Sequence, residues 1–463
     1  MILKLERWWA AKGDSLLRAA TFLCLGIAAI WLGYQFWRLC IQPLPTGAVD
    51  LMLRYREVVG WFDGKPIYSH NDNAVYPPAS YLMLAPLSWL ALPAARWCFA
   101  IASAFLLALV TRGFANHCGA GSATAGSTRH RRFLLLLPLA LYPFGAGIGN
   151  GQLSLPVLAC LMLTFALIGD GEKSLARDVL ITCAFLVALI KPSIAVFFFW
   201  IVLLTQGGLR RGALVVSAYA ALTFISSMFQ KPGPVQLVEA WSRRATAGAQ
   251  WGATRGGGSI RRTGGRTREA GEALPDRSDA HGTGGDVSPH ATAPADATNS
   301  GTAVDPLSDP GPPIEILHVN LQSVLSALDL KEWVLPAILF LLVGLALWVL
   351  LHRRCSVWIL AGVTAIVARS AMYHGWYDDV ILLLPLIALY HATGPLFPAR
   401  GRVVAGFFFG LFAASLLAPG GVYLLPHPWN NIYVLAQTGV LFLVLGFLVW
   451  LARQSRDPLS LPQ

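Results

Sequence analysis

Residues 178–206 read DVLITCAFLVALIKPSIAVFFFWIVLLTQ, two apolar runs of about a dozen residues meeting at Lys191-Pro192. A helix needs about 20 apolar residues to cross a bilayer. Each run is short alone, and together they are long with a break in the middle. Taken as a hairpin, 178–190 and 193–206 are the fifth and sixth of twelve candidate spans. Taken as one interrupted helix, they leave eleven and reverse the orientation of everything that follows.

The other spans read from the hydropathy pattern are 19–41, 95–111, 133–149, 152–168, 212–229, 332–351, 356–372, 379–395, 403–419 and 431–452. The 463-residue chain is 55% hydrophobic and 13% charged, with mean hydropathy +0.57. Strands of alternating polarity, the mark of a membrane barrel, are absent, and helices satisfy every backbone group without water. The expected fold is all-α, a polytopic membrane helix bundle. The first run is longer than the core of a signal peptide and reads as a retained anchor.

The net charge of +11 does not imply nucleic acid, because the basic residues fall in short clusters between apolar runs. With the N-terminus inside and the 178–206 hairpin in place, the clusters at Arg112–Arg132, Lys173–Arg177, Arg210–Arg211, Arg353–Arg354, Arg400–Arg402 and Arg453–Arg456 all lie on one side. That side is read as cytoplasmic, with both termini inside and the protein in the cell's inner (plasma) membrane. None of the seven cysteines forms a Cys-x-x-Cys motif, so neither a disulfide framework nor a zinc site is implied.

Three regions follow: an N-terminal membrane module (1–245), a low-complexity outer segment (246–313) and a C-terminal membrane module (314–463). Within the long loop of about 230–332, the stretch 252–313 lacks aromatic residues and reads as a disordered solvated insertion rather than a nucleic-acid arm. The proline-rich stretch 76–92 reads as interfacial or re-entrant.

Under this topology the unusual polar residues gather on the outer side. Asp50, Arg54, Glu57 and Trp61 lie at i, i+4, i+7 and i+11, opposite Leu51, Tyr55, Val58, Val59 and Phe62. This describes an amphipathic helix lying in the interface. Its Asp50 could accept a proton from a hydroxyl nucleophile, or could equally be a helix N-cap or the partner of Arg54. Lys191 suits a bound phosphate or a snorkelling role. Arg369 calls for a bound anion or an ion pair with Asp378 or Asp379. The two aspartates suit the first turn of the next helix better than a metal. His374 could serve a leaving group or be structural. Gly145–Gly151 superficially resembles a phosphate loop, but no strand precedes it and no Gly-Lys-Ser/Thr follows. Asn150 and Gln152 suit sugar hydroxyls or open backbone groups at the turn.

The ordered set Asp50 with Tyr55, Gly64-Lys-Pro-Ile-Tyr68, Tyr76-Pro77-Pro78, Pro86-Leu87, Gly151-Gln152, Lys191-Pro192, Asn320-x-Gln322-Ser323 and Tyr377-Asp378 before Leu383-Leu384-Pro385 resembles glycosyltransferase family 87. These are membrane glycosyltransferases of the GT-C class that include polyprenol-phosphate-mannose-dependent mannosyltransferases. The resemblance implies Asp50 as catalytic base. Taken with the polar residues on the outer side, the substrate site is expected among Arg54, Tyr55, Tyr76, Asn150, Gln152, Lys191, Asn320, Gln322, Arg369, His374, Tyr377 and Asp378, with the donor phosphate near Lys191, Arg369 or His374 and the sugar over Asn150, Gln152, Asn320 and Gln322. The expected partners are a polyprenyl phosphate sugar donor, a lipid or glycan acceptor and membrane lipids, with no nucleic acid, cofactor or metal. The alternative is a transporter or flippase of lipid-linked sugars, for which inverted repeats and midplane polar sites would be expected. Neither is evident in the sequence.

Overall fold

A computed structural model describes residues 2–44, 46–70, 74–119, 128–170, 174–256, 320–371, 375–394 and 397–454. The insertion 257–319 and His374 lie outside them. The protein is an all-α polytopic membrane bundle. Among the described residues, five helices are long and apolar enough to cross a bilayer: Lys12–Cys40, Leu92–Cys118, Gly208–Ser227, Val334–His352 and Trp429–Gln454. The remaining spans are shorter or broken helices packed among them, such as Ser154–Gly169 and Val357–Ala371.

The break at Lys191-Pro192 is a sharp one. The helices Leu175–Ala188 and Pro192–Leu204 are bent by 119° at the break, a turn that both the hairpin and the interrupted-helix readings allow. Pro192 sits in the first turn of the second helix, where its missing N–H costs nothing. It also pushes Lys191 out of the helical region (φ −117°, ψ 80°).

A second break lies inside the run 133–149. Pro138 is inside the helix Thr128–Ala140, Pro143 opens the helix Tyr142–Asn150, and Leu141 between them is extended. Buried backbone freed by a kink needs new partners. Leu416 O accepts from Tyr142 N at 2.8 Å and Ala140 O accepts from Ala418 N at 2.8 Å, so the chain end of the helix Ala399–Ser415 fills the gap.

The glycines that follow are a packing surface. A Cβ at Gly145 would collide with the Trp31 indole, and one at Gly149 with the Gln35 amide. The first helix therefore crosses Tyr142–Asn150 at backbone distance, a close approach that small residues permit between membrane helices. Gly151 (φ 72°) closes the helix in the left-handed conformation, and a Cβ there would meet Leu51. This is what the Gly145–Gly151 run does in place of cradling a phosphate.

Two expectations about the outer segments are corrected. The helix Val49–Phe62 does not lie open on the interface: Arg54, Glu57 and Trp61 are buried together with Leu51 and Val58. Its polar ridge faces protein because Glu57 and Arg54 satisfy each other there. The loop assigned to 230–332 begins instead with a helix, Pro234–Gly256. Leu237, Ala240 and Trp241 pack it against Tyr68 and Tyr76, the Trp241 indole donates to Val75 O at 2.9 Å and Arg244 donates to Tyr68 O at 3.2 Å. The i, i+3, i+4, i+7 spacing of Leu237, Ala240, Trp241 and Arg244 was its signal.

Candidate functional site

The Lys191 break aims a primary amine into the protein. Its Nζ donates to Gln152 Oε1 and to Ser154 Oγ, both at 3.2 Å, and pairs with Asp378. Three acceptors thus meet the three N–H donors of one ammonium group. The Tyr377 ring lies 5.2 Å from the same nitrogen, a cation–π distance. Lys191, Gln152, Ser154 and Asp378 are all buried. Ser154 Oγ also donates to Asp378, so the carboxylate is held from two sides.

Asp379 makes a second, parallel pair. It receives the Arg369 guanidinium and, at 2.5 Å, the Tyr142 hydroxyl. Tyr142 is the first residue after the Leu141 break, so the break serves to position this hydroxyl. The Trp376 ring packs edge-on against it at 5.4 Å.

Asp378 and Asp379 both lie in the first turn of the helix Trp376–Leu382, as expected, but neither caps it. The cap position is Gly375, with no side-chain cap bond, and each carboxylate instead neutralises a buried cation. Arg369 takes the ion-pair alternative rather than standing free. An unpaired charge buried at this depth is costly.

Asp50 sits at the edge of this nest in the first turn of Val49–Phe62. Neither structural alternative for it holds. Ala48 is the cap residue and makes no side-chain bond, and Arg54 pairs with Glu57 at 2.6 Å. Glu57 also accepts from the Tyr81 hydroxyl at 3.2 Å, and the Arg54 guanidinium lies 4.5 Å from the centre of the Tyr76 ring. With Gln152 Oε1 taken by Lys191, the remaining end of the amide is left for Asp50, whose carboxyl it pulls down.

The Asp50 side chain is only half-buried, unlike the carboxylates behind it. Burial pushes its carboxyl above the ordinary carboxylate range; the Gln152 bond and the charges of Lys191 and Arg54 pull it back, and Asp378 pushes it up again. It is therefore a carboxylate with enhanced proton affinity, reachable from outside and aligned by an amide whose other end is fixed.

The structure thus brings together Asp50, Arg54, Tyr76, Gln152, Lys191, Tyr377 and Asp378, with Arg369 one residue behind. Other expected residues have different employment. The Tyr55 hydroxyl donates to Leu90 O at 2.9 Å. Asn150 accepts from Arg38 at 3.2 Å. Asn320 caps the helix Leu321–Ala327 by accepting from Ser323 N at 2.8 Å; it is buried, as is Gln322. The residues missed are Ser154, Tyr142, Glu57 and Arg38. Only Ser154 carried a signal, as a hydroxyl at a helix start two residues from Gln152.

Residues 74–265 match the family model of glycosyltransferase family 87. This segment is similar to family 87. The match contains Tyr76, Gln152, Ser154 and Lys191, whereas Asp50, Arg369 and Asp378 fall outside it. The chain is also 24% identical over 180 residues to a polyprenol-phosphate-mannose-dependent alpha-(1-2)-phosphatidylinositol mannoside mannosyltransferase of Mycobacterium tuberculosis (strain ATCC 25618 / H37Rv). That alignment covers 34% of this chain and 42% of the relative, less than half the length of either. No solved structure matches this chain.

Proposed function

We propose that this protein is a family 87 membrane hexosyltransferase of the GT-C class. It moves a sugar, taken to be mannose, from a polyprenyl phosphate donor to a hydroxyl of a lipid or glycan acceptor on the outer side of the inner membrane. The observation that carries the reading is Asp50: a half-buried carboxylate of raised proton affinity, beside the Gln152 amide and near the buried Arg54–Glu57 and Lys191–Asp378 ion pairs. Support for a lipid-phosphate donor comes from the family match and from the mannosyltransferase relative, which is named for such a donor.

In the proposed step the acceptor hydroxyl attacks the anomeric carbon while Asp50 takes its proton. The bond from that carbon to the phosphate oxygen breaks, and the polyprenyl phosphate leaves with the electron pair. General-base assistance of this kind contributes roughly 10²–10⁴-fold. Lys191 is already saturated by Gln152, Ser154 and Asp378, so it reaches the departing phosphate only by releasing Asp378. Tyr76 and Tyr377 offer ring faces to the sugar, and His374, Asn320 and Gln322 are assigned to the donor from the sequence. The reading calls for no cofactor and no metal, and for no nucleic-acid partner.

The test is transfer of labelled mannose from polyprenyl phosphate in membranes holding the wild type or Asp50→Asn. A glycosidic product that falls at least roughly a hundredfold in the variant supports the reading. Movement of lipid-linked sugar across the bilayer without any product would favour the flippase instead.

A further inference from the structure

The helix Ser154–Gly169 has Ser154 in the Asp50 nest and Gly169 roughly 22 Å away at the 1.5 Å rise per residue. At that far end lies a cavity of 1310 Å³, lined in part by Asp170, Asp178, Arg210, Arg211, Arg353 and Arg354. Its carboxylates are already committed. Asp178 is shared by Arg210 and Arg211, the latter at 2.7 Å, and Asp170 pairs with Arg177 at 2.7 Å. Buried Arg211 has an NH1 group with no hydrogen-bond partner. Arg353 and Arg354 are exposed and make no ion pair among the described residues.

Two helices also begin at this cavity, Gly208–Ser227 and Val357–Ala371, adding the partial positive charge of their N-termini. The result is a cationic concavity whose positive charge exceeds what its own aspartates neutralise. Snorkelling arginines of a loop explain exposed charge; they do not explain a buried guanidinium with an unpaired N–H in the wall.

The cavity is also far larger than a phosphate ion. Part of its wall is apolar, with Leu203, Leu204, Leu209 and Leu350 alongside the arginines, and Leu209 is 77% exposed. A ligand that satisfies both halves carries a phosphate on an apolar body. We propose that this cavity binds the headgroup phosphate of an anionic membrane lipid, at a site separate from the Asp50 nest. The fork geometry of arginine suits phosphate oxygens, and basic pockets between membrane helices hold lipid headgroups in this way.

The test measures lipid binding by the purified full-length protein, by native mass spectrometry and by thermal unfolding in detergent. Phosphatidylglycerol, phosphatidylcholine and inorganic phosphate are added in turn to the wild type and to the double variant Arg353→Gln/Arg354→Gln. Because both arginines are exposed and unpaired, the variant is expected to unfold at the wild-type temperature without lipid. Phosphatidylglycerol is expected to bind saturably and raise the wild-type Tm, phosphatidylcholine and phosphate to do neither, and the double variant to bind it roughly thirtyfold more weakly. An equal response to phosphatidylcholine, an equal response to phosphate alone, or undiminished phosphatidylglycerol binding by the variant would each overturn the proposal. Sugar transfer is not part of the readout, so the result is independent of the Asp50 assignment.

Discussion

Asp50 and Asp379 flank the same polar nest, and their carboxylates are held in opposite ways. Asp379 is fully buried, clamped by a guanidinium and a phenol. Asp50 is half-exposed, with burial working against the pull of the Gln152 amide and of the Lys191 and Arg54 charges. The first arrangement fixes a charge in place. The second keeps a charge uncomfortable, and a carboxylate whose ionised form is poorly compensated is the better proton acceptor. One nest thus separates a structural acid from a candidate reactive one, and residue type alone does not distinguish them.

The largest expected break in this comparison is Asp379→Asn. It leaves Arg369 buried without a counter-charge, and loss of one partner of a buried pair costs about 3–5 kcal/mol. A lower Tm and poor accumulation in membranes would be the observed effect. If the variant unfolds at the wild-type temperature, the pair is not buried as described. Asp50→Asn should do the reverse for stability. The sign follows from the raised carboxyl: the folded state binds the proton more tightly than the unfolded state, so ionisation removes stability as pH rises through that window. Neutralising the group leaves Tm unchanged or higher.

The same shift predicts the pH profile of transfer. The acid limb of kcat/KM should fall off above the pH at which ordinary aspartates protonate, since the base is disabled as soon as it takes up a proton. A limb at the ordinary value would detach Asp50 from the reaction. A smaller effect is expected at Gly151→Ala. The left-handed backbone and the Leu51 contact predict a loss of at least about 1–2 kcal/mol, with a disturbed seat for Gln152 and a corresponding drop in transfer. Smallest of all is Tyr55→Phe. It removes one hydrogen bond to Leu90 O, worth about 1 kcal/mol, and should leave KM and kcat alone. A clear change in KM would return Tyr55 to the substrate site.

Much of the fold was legible because apolar run lengths and Lys191-Pro192 are local signals. Proline acts on its own neighbours, so the 119° turn could be read without any knowledge of what packs on it. The break at Leu141 was missed for the converse reason: Pro138 and Pro143 were visible, but whether a kinked span survives depends on the backbone of Leu416 and Ala418, far away in sequence. The helix Pro234–Gly256 was hidden by composition, since its polar residues resemble the insertion that follows.

In the site, single residues were found, and of their pairings only that of Arg369 with Asp378 or Asp379 was foreseen. Lys191, Arg369, Asp378 and Asp379 stand out by being charged in apolar surroundings. Which cation meets which carboxylate is decided by helix crossings, and those depend on Gly145 and Gly149 letting the first helix approach. Asp50 was legible as an oddity, but the choice between cap, ion pair and base required seeing Arg54 turn to Glu57.

The central claim is that Asp50 serves chemistry and not folding. Measuring mannose transfer and unfolding temperature together on purified wild type and Asp50→Asn tests it most directly. A loss of transfer of at least roughly a hundredfold with an unchanged or raised Tm is the predicted result. Transfer at the wild-type rate, or a loss of transfer that merely tracks a fall in Tm, would contradict it.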